Sequence, residues 1–339
     1  MKQTDWKHPG TTMSPAMTIS LQGKPNNAPA LQALVKEAPL EWKARPLETV
    51  DIDWGGKGAG HDECTKDGEQ CYRFALLSWA FFEDLVKAER YGLQGVDIIK
   101  QWSSKNKVFK GNNAPLEAAW SICSMARAAE LFKHHNKLPK VREAWRLVEP
   151  IFYVWLDKVI MPVLKTEALW RWPVMGNWHY SIICARMQIA ILREDPKEWD
   201  WCIMKYKEIF DLSIGNKCGC SWFTAETKRD VTHAMFLIGG VVQAAEIAWH
   251  QGDTSLWNDR LHCVLENHAA IMLKEVPLGI TKEEIKTPYG LWVEPVFEIG
   301  RHHFAQRRKM KTPKVDALMA KTGPERVTFH WGAGTLTHR

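Results

Sequence analysis

Tyrosine is scarce in this chain: six, against eighteen tryptophans, in 339 residues. A run of about 18 uninterrupted apolar residues is missing, so no segment reads as a membrane span. The longest apolar stretch, Ala234 to Trp249, is broken by Gln243 and Glu246. The first residues, MKQTDWKHPGTTMSPAM, lack the apolar core of a secretory leader. The expectation is an extracellular protein whose leader has been removed, with the cytosol as the alternative. Eight cysteines are too few for a disulfide scaffold. Cys64 and Cys71, in a Gly- and charge-rich stretch, fit one small loop disulfide. Cys123, Cys184, Cys202 and Cys263 fall in apolar runs and read as buried thiols. Cys218 and Cys220 form a C-x-C, which is not a zinc spacing, and neither a metal nor a cofactor is expected. Lys plus Arg is 45 and Asp plus Glu is 39, a net charge of +6. So small an excess fits an anionic ligand or simply a solvated surface. No basic stripe carries interleaved aromatics, which argues against nucleic acid. Heptads are absent, strand signals are scarce, and only Val327–Leu336 alternates weakly.

What is present is helical periodicity. The first fifty residues are rich in Pro, Gly, Asn and Thr and read as an extended N-terminal arm (1–50). The remainder (51–339) reads as one body with no linker. Apolar residues recur at three and four spacing over Tyr72–Glu89, Leu116–His134 and Val141–Val148. After a break at Pro150 the pattern resumes over Ile151–Leu164, Asn177–Leu192, Trp199–Leu212, Val231–Trp249, Leu256–Leu273 and Pro295–Phe304. Helices in succession, joined by short Gly-, Pro- and Asn-bearing links, predict an all-α toroid, an incomplete (α/α) barrel. Inner helices of such a ring surround a funnel whose mouth is lined by loops. A monomer is expected.

Four strings carry candidate chemistry. Gly176-Asn177-Trp178-His179-Tyr180 looks like a helix start, with Asn177 as a cap and Trp178 as packing, or as a sugar platform. Arg229 and His233 share one face near a helix N-terminus, which suits a carboxylate. An ion pair of Arg229 with Asp230 or Glu226 is the plainer reading. Tyr289 is the one tyrosine in a turn string, Thr287-Pro288-Tyr289-Gly290. Glu294 and Glu298 are four apart, as are Glu298 and His302, so a carboxylate pair for glycoside hydrolysis is an alternative. Adjacent His302 and His303 point in different directions on a helix and do not make a metal site.

These strings resemble a known family. Arg229-Asp230-Val231-Thr232-His233, Leu237-Ile238-Gly239 and Ala244–Gly252, with Gly176-Asn177-Trp178 upstream, look like the alginate lyase superfamily of polysaccharide lyases. Glu294–Phe304 and the tail Gly332–Thr337 fit the same pattern. The nearest likeness is to polysaccharide lyase family 38, the broad alginate and glucuronan lyases, from about Cys71 onward. The resemblance implies an (α/α) toroid, an anionic polysaccharide substrate and a site of Asn177, His233, Tyr289 and Arg229. Asn177 to His233 is 56 residues, and His233 to Tyr289 is 56. Many relatives carry an acidic residue where this chain has His179. Trp178, His179, Tyr180, Arg301 and His302 are the expected substrate contacts. The implied chemistry is β-elimination. Asn177 and Arg229 would neutralise the C6 carboxylate, His233 would act as base and Tyr289 as acid. A non-catalytic polyanion-binding toroid is the other alternative.

Overall fold

The computed structural model describes residues 5–25, 28–170, 176–216, 222–285, 295–322, 332 and 334–338. Short polar side chains set many of the helix starts. Ser14, Asp84, Asp195, Asp230 and Asn258 each accept a backbone amide from the turn they precede. The helices in chain order are α1 (Pro15–Gln22), α2 (Pro29–Lys36), α3 (His61–Ala80), α4 (Leu85–Lys105) and α5 (Ala114–Lys133). Next come α6 (Pro139–Trp155), α7 (Met161–Leu164), α8 (Glu167–Trp170), α9 (Gly176–Arg193) and α10 (Pro196–Ser213). Then follow α11 (Val231–His250), α12 (Asp259–Met272), α13 (Pro295–Arg301), α14 (Pro313–Thr322) and α15 (Gly334–His338).

Helices α3, α5, α9, α11 and α13 form an inner layer, each packed on the next, and α4, α6, α10, α12 and α14 lie outside it. The inner helices run parallel. Gly68 faces Ser121, Trp120 reaches Ser181, and Gly176 faces Leu237, so each N-terminal third packs on another. The architecture is the all-α toroid, with every inner helix that is described this way starting on one rim. Glycine permits the closest approaches. A Cβ on Gly240 would stand 2.6 Å from the Cβ of Tyr180. Outer helices show one apolar face. In α6 it is Val141, Trp145, Val148, Phe152 and Trp155.

Several expectations need correction. Pro150 does not break the chain. It lies on the exposed side of α6, and the helix runs on through a π turn at Leu156–Ile160 into α7. The run Tyr72–Glu89 is two helices, parted at Phe81–Asp84, where Asp84 caps α4. Strands exist where none was expected. β1 (Thr49–Asp53) pairs with β2 (Lys57–Ala59) and β3 (Val108–Lys110), and β4 (Ile214–Asn216) pairs with β5 (Trp222–Thr224). Of the tail expected to alternate, Gly334–His338 is helical. Cys64 and Cys71 are free, buried thiols, and Cys71 Sγ donates to the Gly95 carbonyl. Cys263 is instead disulfide-bonded, to a partner outside the described residues. Helix α11 is long and apolar enough to cross a membrane, yet it is almost wholly buried in the ring.

The arm holds helices α1 and α2, and residues before them close the far rim. The Thr11 carbonyl accepts from His250 Nδ1 at 2.7 Å. Gln251 holds the Lys7 amide, the Lys7 carbonyl and the Gly10 carbonyl. A Cβ on Gly10 would stand 1.9 Å from the Lys7 carbonyl oxygen. His8 Nδ1 meets the buried Glu130 at 2.6 Å. Beside this, α15 packs His338 Nε2 3.2 Å from Glu246. Arg307 donates to both oxygens of Glu246 at 2.7 Å, and His250 Nε2 lies 2.9 Å from it. One buried carboxylate thus ties together the arm, α11, the segment after α13, and α15.

Burial works against the Glu246 charge, but His250, His338 and Arg307 prevail and hold the carboxyl well below its usual range. A depressed folded-state pKa adds stability that is complete above the unfolded value and is lost as pH falls below it. Glu246→Gln should therefore cost about 3–5 kcal/mol at neutral pH, read by urea unfolding. That deficit should shrink as pH falls below about 4.3. An unchanged midpoint at pH 7 would show that the cluster is not what fastens the far rim.

Candidate active site

At the start of α11, Asp230 does two things. Its Oδ1 accepts the His233 amide at 2.8 Å, capping the helix, and its Oδ2 accepts His233 Nδ1 at 2.6 Å. Burial would raise the Asp230 carboxyl, but the His233 amide and ring outweigh it and hold the group below its usual range. With its Nδ1–H committed to a carboxylate, the neutral ring carries its lone pair on Nε2. The His233 side chain is part-exposed and packs edge-on to Phe236. Arg229 stands beside it, 52% exposed, with its guanidinium 3.4 Å from Glu226 and 4.0 Å from Asp230.

One helix over, Asn177 opens α9. Its Oδ1 accepts the Trp178 amide at 2.8 Å, which identifies the other side-chain atom as the NH2 donor. Ser181 Oγ donates to the Asn177 carbonyl and accepts from Trp120 Nε1. Because Gly240 is level with Tyr180, His233 stands about one helical turn nearer the rim than Asn177. Beside Asn177, Trp120, Trp178 and Leu116 form a buried cluster, and Phe236, one turn on from His233, packs against it.

The remaining sequence-predicted residues divide. Trp178 is 7% exposed, wedged against Trp120 and backing Trp54, whose ring is 5.8 Å away. Trp54 is 47% exposed, so it presents the aromatic face and Trp178 supports it. His179 bonds the Leu169 carbonyl at 3.1 Å and packs on Trp170, which fastens α8 to α9. Tyr180 is fully buried against Tyr206 and Gly240, out of reach of a substrate. Arg301 pairs with Asp316, and His302 donates to the His338 carbonyl. Both stand at the far rim, so they are not outer subsites of this mouth. Glu298 is buried beneath α15, accepting from Thr335 Oγ1, which removes it from a carboxylate pair at the mouth. Tyr289 and Glu294 lie outside the described residues.

Sequence reading missed three groups on this rim. Asp230 was visible only as a possible partner of Arg229, although its three-residue spacing to His233 also suits a cap that returns to the imidazole. Trp54 sits in the β1–β2 turn, where no periodicity marks it. His61, the first residue of α3, bonds the wholly buried Glu117 of α5, with Nδ1 2.8 Å from both carboxylate oxygens.

Among the described residues, two clusters hold carboxylate and imidazole atoms within 4.8 Å of one another. In Glu246, His250 and His338, the Arg307 guanidinium already occupies both carboxylate oxygens, and its charge opposes a cation. Burial also pushes the His338 imidazole down to about 4, so at neutral pH that ring is an uncharged donor to Glu246. In His8, Glu130 and His134, the rings stack 4.3 Å apart and 13° from parallel, so their in-plane lone pairs do not meet at one ion. Both clusters are polar latches.

No protein-family model matches this chain. No curated protein matches its sequence. Solved structures do match its fold. Alginate lyase A1-III from Sphingomonas species A1 superposes with a TM-score of 0.63 at 16% identity, over 99% of this chain and 98% of that one. A tyrosine-to-phenylalanine variant of alginate lyase A1-III complexed with a tetrasaccharide gives 0.64 at 16%, over 99% and 97%. An alginate lyase from Bacteroides ovatus gives 0.60 at 11%, over 98% and 99%. At these identities the likeness is one of fold, and it runs the full length of both chains.

Proposed function

We propose that this protein is a polysaccharide lyase that cleaves uronic-acid polymers, alginate or glucuronan, by β-elimination. The observation that carries the reading is the Asp230–His233 pair, which leaves an imidazole lone pair on the rim that also holds Asn177. The full-length likeness to alginate lyases supports it. In this reading the Asn177 NH2 group donates to the C6 carboxylate, which lowers the cost of the dianion formed when C5 loses its proton. His233 Nε2 takes that proton, and the C5–H electrons pass into the C6 carboxylate as an enolate dianion. They then form a C4=C5 double bond and expel the C4 oxygen. Tyr289 protonates the leaving oxygen. Where proton and leaving group share one face, as in mannuronate or glucuronate links, Tyr289 can serve as base as well. Arg229 adds positive charge near the carboxylate, and Trp54 stacks on a sugar face. The disulfide at Cys263 suits an oxidising compartment, so we place the enzyme outside the cytosol.

The test is direct. Polymannuronate, polyguluronate and glucuronan are incubated separately with the protein, and ultraviolet absorbance of the conjugated product is followed. New reducing ends without absorbance would mean hydrolysis, and binding without either would mean a non-catalytic toroid. Tyr289→Phe should abolish turnover of every substrate. His233→Ala should lower kcat about 100- to 10,000-fold on polyguluronate, and less on same-face polymers.

Asp230→Asn keeps a helix cap but loses the carboxylate that fixes the His233 tautomer. It should lower kcat at least about a hundredfold with little change in melting temperature. Wild-type turnover in this variant would remove Asp230 from the mechanism.

A further inference from the structure

Glu117 is a carboxylate with no exposed surface, placed in the first turn of α5, and its described partner is a single imidazole. Burying such a charge is costly unless a cation meets it. His61 meets it with Nδ1, at 2.8 Å from each oxygen. The rest of the His61 ring is not buried, for its side chain is 36% exposed. The hydrogen bond to Glu117 raises the His61 pKa, with burial acting the other way and the Glu117 charge adding to the rise. Asp62 and Lys66, the other charged groups near it on α3, pair with each other.

The position matters as much as the charge. The His61 ring packs against Trp120, centroids 6.5 Å apart, and Trp120 packs in turn on Phe236, which touches His233. The turn that follows Trp54 runs near the His61 ring: a Cβ on Gly56 would stand 3.9 Å from its Cδ2. His61 therefore stands on the mouth rim, one indole removed from the wall that holds Asn177 and His233. It is also close to the exposed Trp54.

We propose that the His61–Glu117 pair is a carboxylate-binding subsite, in which His61 Nε2–H donates to the C6 carboxylate of a uronate residue next to the one that reacts. The inference rests on the lyase reading for its ligand. A polyuronate carries one carboxylate per sugar, so neighbours of the reacting residue need cations of their own. Glu117 is a positioning residue here: it aims the ring and favours its charged form, while the exposed edge makes a charge-assisted hydrogen bond. A partly exposed imidazole against a deep carboxylate also gives a subsite whose hold weakens as pH rises and the ring loses its second proton. The acidic side chains that face it are Glu117 and Asp62.

Calorimetry in a non-cleaving Tyr289→Phe background tests this, with an oligouronate and its carboxyl-reduced neutral counterpart as probes. His61→Gln should weaken oligouronate binding about tenfold and leave the neutral sugar unchanged. His61→Lys should restore most of the loss. Oligouronate affinity should fall with rising pH when His61 is present and stay flat in His61→Gln. His61→Gln also takes the cation from the buried Glu117, so its melting temperature should fall and affinities are compared at a temperature where every variant is folded. Equal affinity of His61 and His61→Gln for the oligouronate, an equal loss for the neutral sugar, or no oligouronate binding at all would overturn the proposal. Wild-type turnover, measured separately, isolates the other reading. Cleavage with a silent His61→Gln sinks only the subsite, whereas His61-dependent binding with no cleavage by wild type sinks only the lyase.

Discussion

The register between α9 and α11 is the constraint on which the candidate site depends. Asn177 and His233 sit on different helices. What sets their relative height is close helix packing. Gly176 lets Leu237 in, and Gly240 lets the Tyr180 backbone in, at separations where a side chain would collide. A slip of one turn would displace the pair by about 5.4 Å, more than a proton transfer tolerates. The same parallel arrangement places the amide ends of α3, α5, α9 and α11 on one rim. The partial positive charge of each helix start then faces a polyanion together with its side chains.

The far rim is built on the opposite plan. There the charge is buried and internally matched: Glu246 with Arg307 and two histidines, Glu130 with His8. Such clusters are poor sources of net stability, because desolvation consumes most of what the pairing returns. Their effect is specificity of closure. An apolar patch would accept the arm in several registers. A carboxylate with donors from the helix end, the segment after α13, and α15 accepts one.

How much of this was legible in the sequence depended on period. Helices α5, α9 and α11 are long and apolar, and their three-and-four spacing located them to within a few residues. Pro150 misled because proline is a helix breaker only where the lost hydrogen bond is missed, and on an exposed face it is not. The short strands escaped because β1 offers only Val50 and Ile52 as an alternating pair. At the site, Asn177 and His233 were found by motif, since their spacing follows the helical repeat of the ring. Trp54 and the His61–Glu117 pair were not, since they join a turn, a helix start and a neighbouring helix that sequence separation does not connect. Charge pairing four residues apart suggested Glu298 and His302 as functional. Burial under α15 gave them a different use, which composition could not foresee.

Thr11, through His250, and His338, directly, converge on Glu246 from segments more than three hundred residues apart. A ribosome makes the arm more than three hundred residues before α15. The arm's docking surface on α11 lies between them in time, and the α15 wall of its seat is delivered later still. Loop closure over such a span is slow, and the inner helices must wait for it half-assembled, with apolar faces uncovered. The ring is thus a structure whose arm, made before the helices it closes, is among the last segments to settle, and the interval between the two is when the nascent chain is most open to misassembly.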